Sequence, residues 1–339
     1  MKKKSILFII KGVVSISLLS FIILNINWDE VVKNLRAANY LLLIIVFALN
    51  IIERAELTYK WNLLIWVRGI NVSFGRLFLI NAIGGFWGLF LPSSLGTDVV
   101  RGYYLIKNNS ARSVSVSSIF VDRILGIFSL LLLVTISLLL TGDLIPETSI
   151  KIYVFILFIA IILFFYFFQK DETAKLLKKI LAKIKYKKIT EIISKLHFSI
   201  LEYKKYPKTL LLSFLITLLV QMTRVLTYFC IALAFNISVP IVYFFLFIPI
   251  IMLVIMLPVS IGGFGVREGT FIAFFTLVGM SINNAVIISF TNSFVNTLIT
   301  LLGGIVYLFY RSPEKPFNQN TGEKIILFNN STLKSEETK

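Results

Sequence analysis

The sequence predicts an all-α polytopic membrane protein, with about six to seven full spans and two re-entrant helical hairpins in an inverted-topology repeat. Three observations carry this. Of the 339 residues, 57% are hydrophobic, and mean hydropathy is +0.88, whereas apolar residues make up just under half of a soluble domain. Several runs reach the roughly 20 residues needed to cross a ~30 Å hydrocarbon core. Two related proline–glycine blocks, "LPSSLGTDVVRG" from Leu91 and "LPVSIGGFGVREG" from Leu257, close two of the apolar runs. The runs are continuously apolar, which excludes the alternating ~10-residue strands of a membrane barrel.

Apolar segments fall at about 5–25, 39–58, 77–92, 114–140, 150–168, 209–235, 239–257, 268–280 and 285–310. The first follows "MKKKS" and has no A-x-A-like cleavage site behind it. It is expected to stay as a first helix with its lysines in the cytoplasm. The connector 169–208 holds twelve lysines against four acids. Leu176, Leu177, Ile180, Leu181 and Ile184 recur in it at helical spacing, the pattern of an interfacial amphipathic helix.

Charge then sets sidedness. If 77–92 crosses fully, the twelve-lysine connector falls outside, against the positive-inside rule. If 77–92 dips in and returns, that connector lies inside and the acidic loop 141–149 lies outside. The same reasoning makes 239–257 and 268–280 a re-entrant pair entered from outside. Residues 1–312 form one transmembrane domain with repeat units at about 39–140 and 209–310. Residues 313–339 are expected to be a disordered cytoplasmic tail.

The two blocks align at a constant offset of 166 (Leu91 on Leu257), with six identities in eleven positions. The identities include Pro92/Pro258, Gly96/Gly262 and Arg101/Arg267. Prolines at these points end helices. Gly262, Gly263 and Gly265 permit close approach and unusual dihedrals. Broken backbone at membrane depth is tolerated where it lines a cavity or is buried in protein. The helix starting near Gly265 is expected to aim free N–H groups at that cavity, which suits an anion.

Net charge is +17. The lysines sit between apolar segments, so anionic lipid, and not nucleic acid, is the expected partner. Single residues Cys230 and His197 leave no intrachain disulfide and no His/Cys metal site. Neither a metal nor another cofactor is expected. Arginines are placed differently from the 24 lysines: Arg54, Arg101, Arg123, Arg224 and Arg267 lie in or beside apolar segments. An arginine at the bilayer centre is disfavoured by about 2.5–3.5 kcal/mol, so it should face a wet cavity or an acid. Glu53, Glu56, Asp98, Asp122 and Glu268 are the acids within reach. A structural pairing of Arg224 with Glu53 or Glu56 stands beside a functional reading. Asp122 and Arg123 read as an interfacial anchor. Arg101 and Arg267, at matching positions beside glycine hinges, read as phosphate ligands, because the guanidinium fork suits bidentate binding.

The blocks "LPSSLGTDVVRGYYL", "VDRILGIFSLL" and "LPVSIGGFGVREGTF" resemble the lysylphosphatidylglycerol synthase transmembrane, or flippase-like, domain family, over roughly residues 5–312. The resemblance implies a polytopic domain that moves lipids or lipid-linked head groups between leaflets, here of the cytoplasmic membrane, and the charge pattern places both termini in the cytoplasm. It implies functional roles for Pro92, Gly96, Asp98 and Arg101, for Asp122 and Arg123, and for Gly262, Gly263, Gly265, Arg267 and Glu268. Full-length synthases carry a soluble lysyl-transferring domain, which is expected to be absent here, so lysyltransferase activity is not expected. The expected partners are an anionic phospholipid or lipid-linked substrate, a separate synthase or glycosyltransferase, and further copies of the chain. Rival readings are a lipid-modifying transferase, a small-anion transporter and a non-catalytic envelope partner.

Overall fold

The computed structural model describes residues 28–91, 96–107, 112–141, 201–256 and 263–310, with isolated positions at 17, 20, 24 and 159. Most of the expected segments 5–25 and 150–168, the connector as far as 200, the tail from 311, and Pro92, Pro258 and Gly262 lie outside the described residues.

The described residues form nine α-helices and one 3-10 turn, with no strand among them. In chain order the helices are α1 (Trp28–Arg36), α2 (Tyr40–Trp66), α3 (Phe74–Phe90), α4 (Gly96–Lys107), α5 (Arg112–Thr141), α6 (Pro207–Ala234), α7 (Ile241–Met256), α8 (Val266–Thr276) and α9 (Ile282–Phe309). The 3-10 turn, Glu202–Lys205, precedes α6. Asn39 caps α2, its side chain accepting from the Leu41 and Leu42 amides. Ser281 caps α9 by accepting from the Asn284 amide. Pro207 opens α6, where its missing N–H costs nothing.

Three of these helices are long and apolar enough to cross a membrane: Ser113–Leu140 within α5, α6 and α9. At 27 residues α2 has the length as well, but it carries Glu53, Arg54, Glu56 and Lys60. Those charges interrupt the apolar run and explain why the segment expected at 39–58 extends to Trp66. The short α1 and the polar α4 were not foreseen as helices of their own, since neither has a sustained apolar run.

The central pair is α2 against α6, the most extensive packing in the fold. It is antiparallel. The Asn39 amide at the start of α2 donates to the Ala234 carbonyl at the end of α6, at 2.8 Å. At the other end, the Tyr203 hydroxyl before α6 donates to the Leu64 carbonyl at 3.0 Å. Around this pair, α3 packs on α4 and α9, while α7 packs on α8 and α5. Exchanging α2 with α6, α3 with α7, α4 with α8 and α5 with α9 maps this set of packings onto itself. The closest approach needs a glycine: a Cβ on Gly303 of α9 would lie 2.2 Å from the Ala82 carbonyl oxygen of α3.

The apolar cores of the two halves differ. Around α7 and α8 the core is aromatic, with Phe271 and Phe275 stacked at 4.2 Å and Phe244 and Phe247 against them. Around α2, α3 and α4 it is mainly aliphatic, built on Trp61, Ile65, Leu77, Ile80 and Leu105.

Candidate functional site

A cavity of about 340 Å³ lies where α2, α4 and α5 meet α6, α7, α8 and α9. Its lining follows helical spacing. From α2 come Asn50, Glu53, Leu57 and Lys60, and from α6 come Gln221, Arg224 and Tyr228. These steps of three and four residues put each set on one face. Asp98 and Arg101 enter from α4, Asp122, Arg123 and Gly126 from α5, Arg267 from α8, and Asn292 and Asn296 from α9.

One wall is a ladder of charge. The Asp122 carboxylate is met by Lys60 at 2.7 Å and by Arg101 at 2.8 Å. Arg101 also reaches Asp98, three residues earlier, at 2.9 Å, and Asp98 receives Arg123 at 2.5 Å. The Arg101 guanidinium lies over the Trp61 ring at 4.9 Å. Lys60, Asp98, Arg101 and Asp122 are all buried. Charges this deep persist only when paired on several sides. Asp122, expected as an interfacial anchor, is instead the buried joint of α2, α4 and α5, because α4 brings Arg101 back over the α5 turn that carries it.

Glu53 pairs with Arg224 across the α2–α6 interface, with Nε donating at 3.0 Å. Arg224 also donates to Gln221 at 2.9 Å. Glu56 accepts from the Thr223 hydroxyl at 3.0 Å. Arg54 turns to α9, donating to the Asn296 side-chain oxygen at 2.8 Å and to Thr300. Of the two acids expected for Arg224, Glu53 is the one it meets.

The second wall is less charged. Arg267 donates to the Ser293 hydroxyl at 3.3 Å, and Ser293 donates to Glu268 at 2.5 Å. The other Glu268 oxygen accepts the Gly265 amide at 2.7 Å. Gly263 and Gly265 have φ of +83° and +79°, which only glycine adopts without strain. The start of α8 therefore carries its own carboxylate: Glu268 takes one of the N–H groups expected to face an anion. Gly96 sits against Leu91, where a Cβ would come within 2.4 Å of the Leu91 Cβ.

The structure thus brings Asp98, Arg101, Asp122, Arg123, Arg224, Glu53 and Arg267 to one cavity. It leaves Glu268 buried beside the cavity and Arg54 and Glu56 pinning α2 to its neighbours. Sequence reading missed Lys60, which fell beyond the end drawn for its apolar segment, and the amides Asn50, Gln221, Asn292 and Asn296. A signal existed in both cases: Asn50, Glu53 and Lys60 share one face of a single helix, and Asn292 and Asn296 are four apart in an apolar run. Among the described residues no group of three His, Cys, Asp or Glu side chains is placed to hold a metal ion.

The family described as the lysylphosphatidylglycerol synthase TM region matches residues 8–304. The chain belongs to this family. Every cavity residue named above lies within the matched range, so the site is built from the lysylphosphatidylglycerol synthase TM region itself. A UPF0104 membrane protein of Methanocaldococcus jannaschii is 28% identical over 125 residues, which is 36% of this chain and 36% of that protein. The match thus spans well under two thirds of the relative's length. No solved structure matches the chain at a significant level.

Proposed function

We propose that this chain is a lipid translocase, moving a phospholipid or lipid-linked head group between leaflets of the cytoplasmic membrane. The observation that carries the reading is the cavity. Five cationic side chains, Lys60, Arg101, Arg123, Arg224 and Arg267, line it against three carboxylates, Glu53, Asp98 and Asp122. It lies between helices whose outer faces are apolar. A polar pocket in an apolar bundle is what a head group needs to cross while its acyl chains stay in lipid.

The topology we propose is an inverted repeat, α2–α5 and α6–α9, each made of a span, a re-entrant pair and a span. Two features support it. The equivalent helices α2 and α6 are antiparallel, and α3 and α7, at 17 and 16 residues, fall short of the roughly 20 that a crossing needs. In this arrangement the re-entrant pairs α3–α4 and α7–α8 enter from opposite sides and meet at the cavity, a transporter architecture. The basic connector and both termini lie in the cytoplasm by the positive-inside rule.

The test is reconstitution. Liposomes would carry head-group-labelled phosphatidylglycerol, its lysyl ester or a polyprenyl phosphate, and leaflet exposure would be followed with time. Wild type should move at least one of them. Gly126→Trp should stop that movement while leaving the fold intact, because a Cβ at Gly126 meets nothing within 4 Å and the side chain would grow into the cavity. Failure of folded wild type to move any of the three lipids would refute the translocase reading.

A further inference from the structure

Arg101 and Arg267 are matching residues of the two blocks, on matching helices, yet their surroundings are opposite. Three residues before Arg101 is Asp98, and three residues before Arg267 is Phe264. From α5, Arg101 receives the Asp122 carboxylate, whereas from α9, Arg267 receives only the Ser293 hydroxyl. Arg101 is 6% exposed and lies over Trp61. Arg267 is half-buried, lines the cavity, and among the described residues has no carboxylate oxygen within ion-pair distance. Its sequence neighbour Glu268 is committed to Gly265 and Ser293.

We infer that Arg267 is the anion-binding residue of the cavity, that its ligand is a phosphate group, and that Arg101 is a strut. Arg101 gives one terminal nitrogen to both carboxylates and stacks on an indole; its Nε is buried without a partner, but an anion reaching it would compete with the charges the guanidinium already holds. Drawing it away would leave the buried Asp98 to Arg123 alone and the buried Asp122 to Lys60 alone, which is unfavourable for interior carboxylates. Arg267 has no such partner to give up. Its fork matches a phosphate with two parallel N–H donors. Asn296 supplies a further donor on the facing helix: Arg54 holds the side-chain oxygen of Asn296 at 2.8 Å, which leaves its amide nitrogen for a ligand. Gly263 lets the chain pass close to this guanidinium, since a Cβ there would meet an Arg267 nitrogen at 3.3 Å. The assignment rests on the translocase reading only for the source of the phosphate, which is a lipid head group there and free phosphate otherwise.

The experiment uses the purified full chain in detergent micelles and reads ligand-dependent thermal stabilisation. The ligands are dioctanoyl phosphatidylglycerol, dioctanoylglycerol as the uncharged control, and inorganic phosphate. Wild type should be stabilised by the phospholipid and not by the diacylglycerol. Arg267→Gln should weaken the apparent affinity at least about tenfold while its ligand-free Tm stays near wild type. Arg267→Lys should fall between, since it keeps the charge and loses the fork. Arg101→Gln should lower the ligand-free Tm and keep the affinity near wild type. If it does not fold, Arg101→Lys replaces it. Wild-type affinity in Arg267→Gln, or the same loss in the Arg101 variant as in Arg267→Gln, would overturn the assignment, as would the absence of any phosphate-dependent stabilisation of wild type. Stabilisation by inorganic phosphate alone, lost in Arg267→Gln, would uphold Arg267 and count against the lipid reading.

Discussion

The two halves of this molecule share an order of helices and a set of packings, and they fill them with opposite chemistry. Around Arg101 the contacts between α2, α4 and α5 are ionic, with Lys60 and Asp122 at the joint. Around Arg267 the contacts between α6, α7 and α8 are aromatic, and its polar partner is a hydroxyl. A repeat constrains backbone and helix contacts. It does not hold side chains equal, and one half can become rigid while the other stays open to a ligand. The difference also warns against carrying a role from one copy of a motif to the other by sequence position alone.

The two halves should differ most at the partners of the two arginines. Asp122→Ala strands Lys60 in the interior, takes one of its two carboxylates from Arg101, and should cost about 3–5 kcal/mol. Ser293→Ala, which removes the partner of Arg267, should cost about 1 kcal/mol. Thermal denaturation in detergent reads both, and equal costs would mean that the two halves are not divided as described. Next comes the packing that both halves share. Gly303→Val drives a side chain into the α3 backbone and should cost at least about 1–3 kcal/mol. Gly126→Ala, with open space at its Cβ, should be nearly silent in the same measurement.

A smaller effect is expected where the halves meet. A double-mutant cycle on Glu53→Ala and Arg224→Ala should return a coupling of about 0.5–3 kcal/mol. A coupling near zero would mean that this pair does not join α2 to α6. The smallest effect lies at one end of that interface. Tyr203→Phe loses the hydrogen bond to the Leu64 carbonyl and should cost about 1 kcal/mol. Burial holds the Tyr203 phenol above its ordinary range, with nearby Arg68 opposing. The neutral phenol is therefore favoured in the folded state. Its contribution is complete below the ordinary tyrosine value of about 10 and is lost as pH rises through the folded value. The gap between wild type and Tyr203→Phe should accordingly narrow above about pH 10 in alkaline denaturation curves.

Much of the fold was legible because its signals are local. Apolar runs marked α2, α3, α5, α6, α7 and α9 to within a few residues, except at the end of α2, where inward-facing charges masked the helix. The likeness of the two blocks was legible from proline, glycine and arginine, residues that are uncommon in apolar runs. The charged lining of the cavity was legible as charges within apolar runs, since such a charge needs a reason wherever it falls. Partner choice was legible only for Arg224, narrowed to Glu53 or Glu56. Nothing in "VDRILG" says that Asp122 faces Lys60, sixty-two positions earlier, and not the interface. Nothing in "FGVREG" says that Glu268 bonds back to Gly265 and that Arg267, among the described residues, meets no carboxylate.

A helical membrane protein with two related blocks and arginines in apolar runs is readable from the residues alone, because hydropathy and backbone-breaking residues act over a turn or two of chain. The packed fold sets α2 and α6 antiparallel and brings the charges to one cavity. It also makes two matching arginines unequal. Each of those facts depends on which side chains from distant segments come within about 3–4 Å, where hydrogen bonds and ion pairs take hold.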